Sequence, residues 1–213
     1  MAANLAAHLA NVRKALHDED AAAYVWTDAV LTRHIDHAVN ELSIELPREM
    51  KTTLTATAGS RDLSTSTLTD RVDIERVEWP VGEFPPRLVG FSAWASVLTL
   101  DVVAAPNSAQ SVYVYWTAKH LVDASGSTIP TVFDDLLAAG ACAFAALDRE
   151  VFAVNKLNVG GDAVAGRYQA FGEERLAYFR RELARLGRRN TVRGRRMYST
   201  DAPSIFEQGR VKY

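Results

Sequence analysis

The chain has a single cysteine, Cys142, in 213 residues. One cysteine excludes an internal disulfide framework and a thiolate zinc cluster. It lies in Ala141-Cys142-Ala143-Phe144, an apolar setting that predicts a buried, inert thiol and not a nucleophile. Long apolar runs are lacking too. No stretch reaches the roughly 18 residues of a membrane span, so no membrane association is expected. No basic segment followed by an apolar core and a cleavage site opens the sequence, so no secretory signal is expected. The chain therefore reads as one kept, or assembled, in a reducing compartment. Catalytic signatures are also missing: there is no G-x-S-x-G elbow, no H-E-x-x-H and no phosphate loop. Gly59-Ser60-Arg61-Asp62 and Gly160-Gly161 match no nucleotide fingerprint. The expectation is no cofactor, no metal and no catalytic residue.

What is present is a polarity of charge. The net charge is only −2, yet Arg175 to Tyr213 holds eleven Lys or Arg against three Asp or Glu, a local +8. The remainder has 13 basic and 23 acidic residues, a net −10. The basic part runs through Arg188, Arg189, Arg193, Arg195 and Arg196 and continues with isolated anchors at Tyr198, Ile205, Phe206, Val211 and Tyr213. Such a segment cannot bury a core of its own and reads as an arm that orders on a partner. Guanidinium groups suit carboxylates of a protein and equally phosphates of a nucleic acid. A merely solvated tail has no use for apolar residues up to Tyr213, which favours docking.

The periodicity predicts an α+β chain. Leu5, Leu9, Val12 and Leu16 form one helical stripe over about Asn4–His17, which Asp18-Glu19-Asp20 breaks. Thr27 is an N-cap candidate for a second helix, with Trp26 packing toward Leu31. Leu31, Ile35, Ala38 and Leu42 form its apolar stripe, and Pro47 stops it. From about Glu49 to Lys119 the texture turns to Thr, Val, Tyr and Trp with period-two stretches. Met50, Thr52, Leu54 and Ala56 share one side of a strand, Gly59-Ser60 is a turn, and the parity change between Ile74 and Val77 predicts a bulge near Glu75-Arg76. Pro80 to Pro86 is a long turn. Leu98–Val103 and Val112–Trp116 read as a hairpin, so four to six strands make a small sandwich or curled sheet. A third helix is expected over Thr131–Asn158, capped by Thr131-Val132-Phe133-Asp134, with Gly140 and many alanines allowing close helix approach. Gly160-Gly161 reads as a turn and Asp162 as the next cap. A fourth helix carries Tyr168, Gly172, Leu176, Phe179, Leu183 and Leu186 and is expected to end at Gly187. The expected organisation is a bundle of about four helices from residues 1–47 and 120–187. An antiparallel β-domain, 48–119, is inserted in it, and an extended basic arm, 188–213, follows.

Two histidine clusters invite other readings. His34 and His37 with Asp36 have a spacing that suits a metal on one helical face, but no third ligand is evident. His120 near Asp123 lacks a nucleophile, so a hydrogen-bonded structural histidine is expected.

Several motifs occur in a recognisable order: Val12-Arg13-Lys14-Ala15-Leu16-His17-Asp18, Trp26-Thr27-Asp28, Ala38-Val39-Asn40-Glu41-Leu42, Asp62-Leu63-Ser64 and Arg76-Val77-Glu78-Trp79-Pro80. Val112-Tyr113-Val114-Tyr115-Trp116 before Lys119-His120, Ile129-Pro130, and Ala177-Tyr178-Phe179-Arg180-Arg181-Glu182-Leu183 complete it. The set resembles head–tail connector (adaptor or neck) proteins of tailed bacteriophages along nearly the whole chain. The β-insertion departs from the smallest, all-helical connectors and matches the larger adaptor type. The resemblance implies a non-enzymatic virion protein at the head–tail interface, assembled in the host cytoplasm. It implies a ring, commonly of twelve copies, between the portal protein and a tail or nozzle protein, with the C-terminal segment docking on the portal or a neighbouring chain. Genomic DNA would pass through the channel without sequence-specific binding. The rival reading is a DNA-binding module that uses the Arg-rich arm.

Overall fold

The computed structural model describes residues 3–154 and 165–198. Among the described residues, four α-helices and a six-stranded sheet make an α+β fold, in two units. One unit comprises Met1–Glu49, Asp70–Val72 and Thr117–Arg185. The other comprises Met50–Thr69 and Asp73–Trp116, with the last helix from Leu186 grouped with it.

The helical unit starts with α1 (Leu5–Leu16), whose N-cap Asn4 accepts a hydrogen bond from the Ala7 amide. The fully buried positions are His8, Val12 and Arg13, so the inward face is rotated slightly from the expected leucine stripe. Helix α2 (Asp28–Glu45) begins as the sequence predicts: Thr27 caps it by accepting from the Val30 amide, and Leu31, Ile35, Ala38 and Leu42 are buried. Helix α3 (Asp134–Val154) packs against both α1 and α2. Thr131–Phe133 forms a 3₁₀ turn without a side-chain cap, so the expected capping box is not made. Gly160-Gly161 and Asp162 lie outside the described residues.

Helix α4 (Ala165–Tyr198) corrects the expectation of a stop at Gly187 followed by an extended segment: residues 188–198 are helical. A glycine inside a helix costs about 1 kcal/mol, too little to end one flanked by Leu and Arg, both good helix formers. The expected close approach of helices is real. A Cβ on Gly140 would stand 2.9 Å from the Phe179 ring, and one on Gly172 would stand 2.8 Å from Leu147 Cγ and 3.2 Å from the Ala143 carbonyl oxygen. Phe144 joins this contact edge-on, with ring centroids 6.4 Å from Phe179.

A buried ion pair ties α1 to the start of α2. Arg13 Nη1 donates to Asp18 Oδ2 at 2.8 Å, and Nη2 donates to the Trp26 carbonyl at 3.0 Å and to Asp28 Oδ1 at 2.6 Å. Asp18 in turn accepts from the Val25 amide at 2.8 Å and, more weakly, from the Trp26 amide at 3.3 Å. The guanidinium also lies 3.5 Å from the Tyr24 ring centroid. Trp26 is buried, and its indole donates to the Ala145 carbonyl at 3.2 Å. Asp18 therefore does more than end a helix: it organises the link.

The strands, most of whose residues fall in the other unit, are β1 (Arg48–Thr55), β2 (Asp62–Ser64), β3 (Arg71–Glu78), β4 (Leu88–Trp94), β5 (Val97–Asp101) and β6 (Ser111–Ala118). They form one sheet in the order β1-β6-β3-β4-β5-β2. Leu54, Ile74, Val77, Leu98, Leu100, Val112, Val114 and Trp116 are buried. Ile74 and Val77, three apart, are both buried, so the parity change read from the sequence is present within β3. The expected β5–β6 hairpin is wrong. β5 pairs antiparallel with β4 and β2, and β6 lies between β1 and β3. The missing partner, β4, holds Gly90, Ser92 and Ala93 and is mostly exposed, so it has no apolar alternation to reveal it. Its hairpin turns at Ala95, with φ of 51°.

Two stability outcomes follow. Gly172→Ala should destabilise the protein although alanine favours helix by about 1 kcal/mol, because overpacking costs about 1–3 kcal/mol. A rise in melting temperature would show that α3 and α4 are not in tight contact. Asp18→Ala should cost about 3–5 kcal/mol by stranding a buried guanidinium. The double variant Arg13→Met/Asp18→Ala should cost clearly less than the two single changes together, measured by urea unfolding.

Candidate functional site

Helix α4 is about 51 Å long at 1.5 Å per residue. Gly172, Phe179, Leu183 and Gly187 are buried on one side. At about 100° per residue, positions 181, 185, 188 and 189 fall within an arc of roughly 100° on the opposite side. All four are arginine and all four are exposed. The apparent loss of helical period after Gly187 does not end the helix, which continues to Tyr198. Arg180 reaches α2, where Nη2 and Nε donate to Glu41 at 2.7 and 3.2 Å, an interaction that raises the arginine's pKa. Arg185 pairs with Glu182 at 2.8 Å.

The residues singled out from the sequence divide accordingly. Arg188 and Arg189 sit exposed on α4, and Arg193, Arg195, Arg196 and Tyr198 belong to the same helix. Ile205, Phe206 and Tyr213 lie outside the described residues.

The histidines of both clusters sit against side chains and backbone of the helical unit. His34 is buried, with Nε2 3.5 Å from Asp148 Oδ2, too long for a well-formed hydrogen bond. His37 stacks on Phe144 at 4.0 Å. Among the described residues no group of three or more His, Cys, Asp or Glu could hold a metal ion. His120 is the expected hydrogen-bonded histidine: Nδ1 lies 3.1 Å from Thr128 Oγ1, Nε2 lies 3.0 Å from the Leu46 carbonyl, and its amide donates to Ser43 Oγ at 3.0 Å. Asp123 is not its partner. Asp123 accepts from the Ser125 hydroxyl and from the Ser125 and Gly126 amides, which hold its carboxyl below the usual range.

A feature absent from the sequence reading is a cleft of about 300 Å³ between α1, α3 and α4. Asn11 and Lys14 come from α1, Asp135 and Cys142 from α3, and Phe171 and Arg175 from α4. Burial pushes the Cys142 thiol up to about 12, against a smaller opposing effect of Arg175. The thiol is therefore protonated at neutral pH and contributes apolar floor. Three distant segments build this cleft, and no local spacing signals it.

Burial lowers the pKa of His8, His34 and His120 below the ordinary 6.5, with Asp134 opposing at His8, Asp148 at His34, and the bonds to Leu46 and Thr128 at His120. The unfolded chain takes up protons at these sites before the folded chain does. Stability is therefore intact above about pH 6.5 and falls as pH drops from there toward the folded-state values, by up to ~1.4 kcal/mol per pH unit for each histidine. His120→Gln should flatten this slope, by at most about one proton, in urea unfolding between roughly pH 7 and 5. An unchanged slope would show that His120 titrates normally in the fold.

No protein-family model and no curated protein matches the sequence. Among solved structures, the chain is similar to one described as "Neck of empty GTA particle computed with C6 symmetry", at 15% identity and a TM-score of 0.29, over 62% of this chain and 74% of that one. So low a TM-score assigns neither fold nor function to this chain.

Proposed function

We propose that the chain is a structural protein of a phage-like virion, a ring-forming adaptor that joins the portal to the tail by protein–protein contacts. The observation that carries this reading is α4: packed through Phe179 and Leu183, it turns a row of arginines away from its own core. A helix so arranged suits an acidic protein surface, where each guanidinium can pair bidentately with a carboxylate. The ordered motifs across the chain support the same reading, and two of them do structural work: Arg13 and Asp18 with Trp26-Thr27-Asp28 form the buried network that joins α1 to α2. The adaptor would act by geometry. Contacts between copies build the ring, of twelve in connectors of this kind, and the arginine face with the residues after it docks on the portal or a neighbouring chain. The arm's docking residues would be Arg188, Arg189, Arg193, Arg195, Arg196, Tyr198, Ile205, Phe206 and Tyr213. The acidic remainder of the chain suits a channel that passes DNA without gripping it. The inserted sheet, 48–119, would meet a tail-side component.

The arginine face also suits a nucleic-acid backbone, the rival reading. Arg188→Glu/Arg189→Glu separates the two. As an adaptor, the variant should keep the wild-type melting temperature and lose portal attachment at least ~10-fold in co-sedimentation, about 1.4 kcal/mol. Undiminished attachment would overturn the adaptor reading. Wild-type binding to duplex DNA that weakens by about a thousandfold or more between 50 and 200 mM salt would put the DNA-binding module in its place.

A further inference from the structure

The cleft between α1, α3 and α4 has the chemistry of a receptor for a short acidic–aromatic peptide. Its volume, about 300 Å³, is at the lower end of the roughly 300–1,000 Å³ typical of binding pockets. Phe171 and Cys142 supply apolar surface, while Lys14 and Arg175 place two cations at a site with one carboxylate, Asp135. The Arg175 guanidinium lies 5.4 Å from the Phe171 ring centroid, so charge and aromatic surface are adjacent. An apolar floor under two cations selects a ligand with an aromatic or aliphatic group next to a carboxylate.

The chain itself contains such a ligand. Ser199–Gln208 carries two acidic residues, Asp201 and Glu207, and no basic one, directly after an arginine-rich helix. Its two large apolar residues, Ile205 and Phe206, stand directly before Glu207. We infer that this segment of a second copy occupies the cleft, with Phe206 on the floor beside Phe171 and the Glu207 carboxylate toward Lys14 and Arg175.

A second copy is required by length. Helix α4 runs unbroken from Ala165 to Tyr198, which separates Phe171 from Tyr198 by about 40 Å at 1.5 Å per residue. The eight residues from Tyr198 to Phe206 span at most about 29 Å fully extended. The chain's own Phe206 falls short of its own cleft even before a reversal of direction is allowed for. A head-to-tail contact of this kind uses two different surfaces of one protomer, and it closes into a ring when the rotation per copy permits. The inference rests on the proposed docking role of the residues after α4 and names their receptor.

The test uses a fluorescently labelled peptide of residues 199–208 titrated with the full-length protein, read by anisotropy. Saturable binding is expected at about 10–100 μM, weakened at least ~10-fold by Phe206→Ala in the peptide or by Lys14→Glu/Arg175→Glu in the protein. The peptide change cannot disturb the receptor's fold, and melting curves check the protein change. Absence of saturation up to about 1 mM, or binding indifferent to both changes, overturns the inference. The occupant is settled by Phe206→Ala in the full-length protein. For a second copy, this change raises the peptide's apparent affinity only at high protein concentration. A gain at every concentration means that the tail is bound within its own chain, which overturns the head-to-tail contact. Portal attachment of Arg188→Glu/Arg189→Glu is read separately. Lost attachment without peptide binding removes this inference alone, and peptide binding with normal attachment removes the adaptor reading alone.

Discussion

The contact on which the most depends is the seating of α4 against α3. Gly140 gives the Phe179 ring the space a Cβ would fill, and Gly172 does the same for Leu147. Side-chain interdigitation at this closeness admits one position along the helix and one rotation about it, because protein interiors are packed nearly as densely as organic crystals. That rotation decides what α4 presents outward, and that position decides where Phe171 and Arg175 stand relative to α1. The Arg180–Glu41 pair is more than half exposed on the arginine side. It is worth at most about 1 kcal/mol. Apolar contact, not charge, therefore fixes the helix.

Local features were legible in the sequence and non-local ones were not. The Thr27 cap, the α2 stripe and the stop at Pro47 each depend on a few neighbouring residues, and each is where the sequence puts it. The small-residue approach of α3 was also readable, since Gly140 among alanines has few other uses. Strand pairing failed because β5 and β6 follow one another in the chain yet pair with other strands. The partner of β5 announces itself with glycine, serine and alanine instead of alternating apolar residues. Gly187 was misread as a stop because a C′ glycine and a tolerated interior glycine look alike without knowledge of what lies on either face. Asp18 was misread for a related reason: within Asp18-Glu19-Asp20 nothing distinguishes the one carboxylate that Arg13 and two amides draw inside.

The two uses of arginine in this chain are physically opposite. Arg13 is buried, its donors directed to Asp18, Asp28 and the Trp26 carbonyl, and it can serve no partner. Arg188 and Arg189 are exposed on a helix held by apolar contacts on its other side. Interactions made by such exposed charges are screened beyond about 8–10 Å at physiological ionic strength. They favour fast, orienting encounter more than lasting attachment. Durable assembly then needs a second, desolvated contact. The proposed seat for Phe206 in the cleft between α1, α3 and α4 would supply one, because an aromatic group on its floor would be removed from water and held by a term that salt does not screen. A basic helix followed within ten residues by an acidic–aromatic segment would place both kinds of proposed contact on one stretch of chain, and the length of α4 sets that segment's maximum reach short of the chain's own cleft.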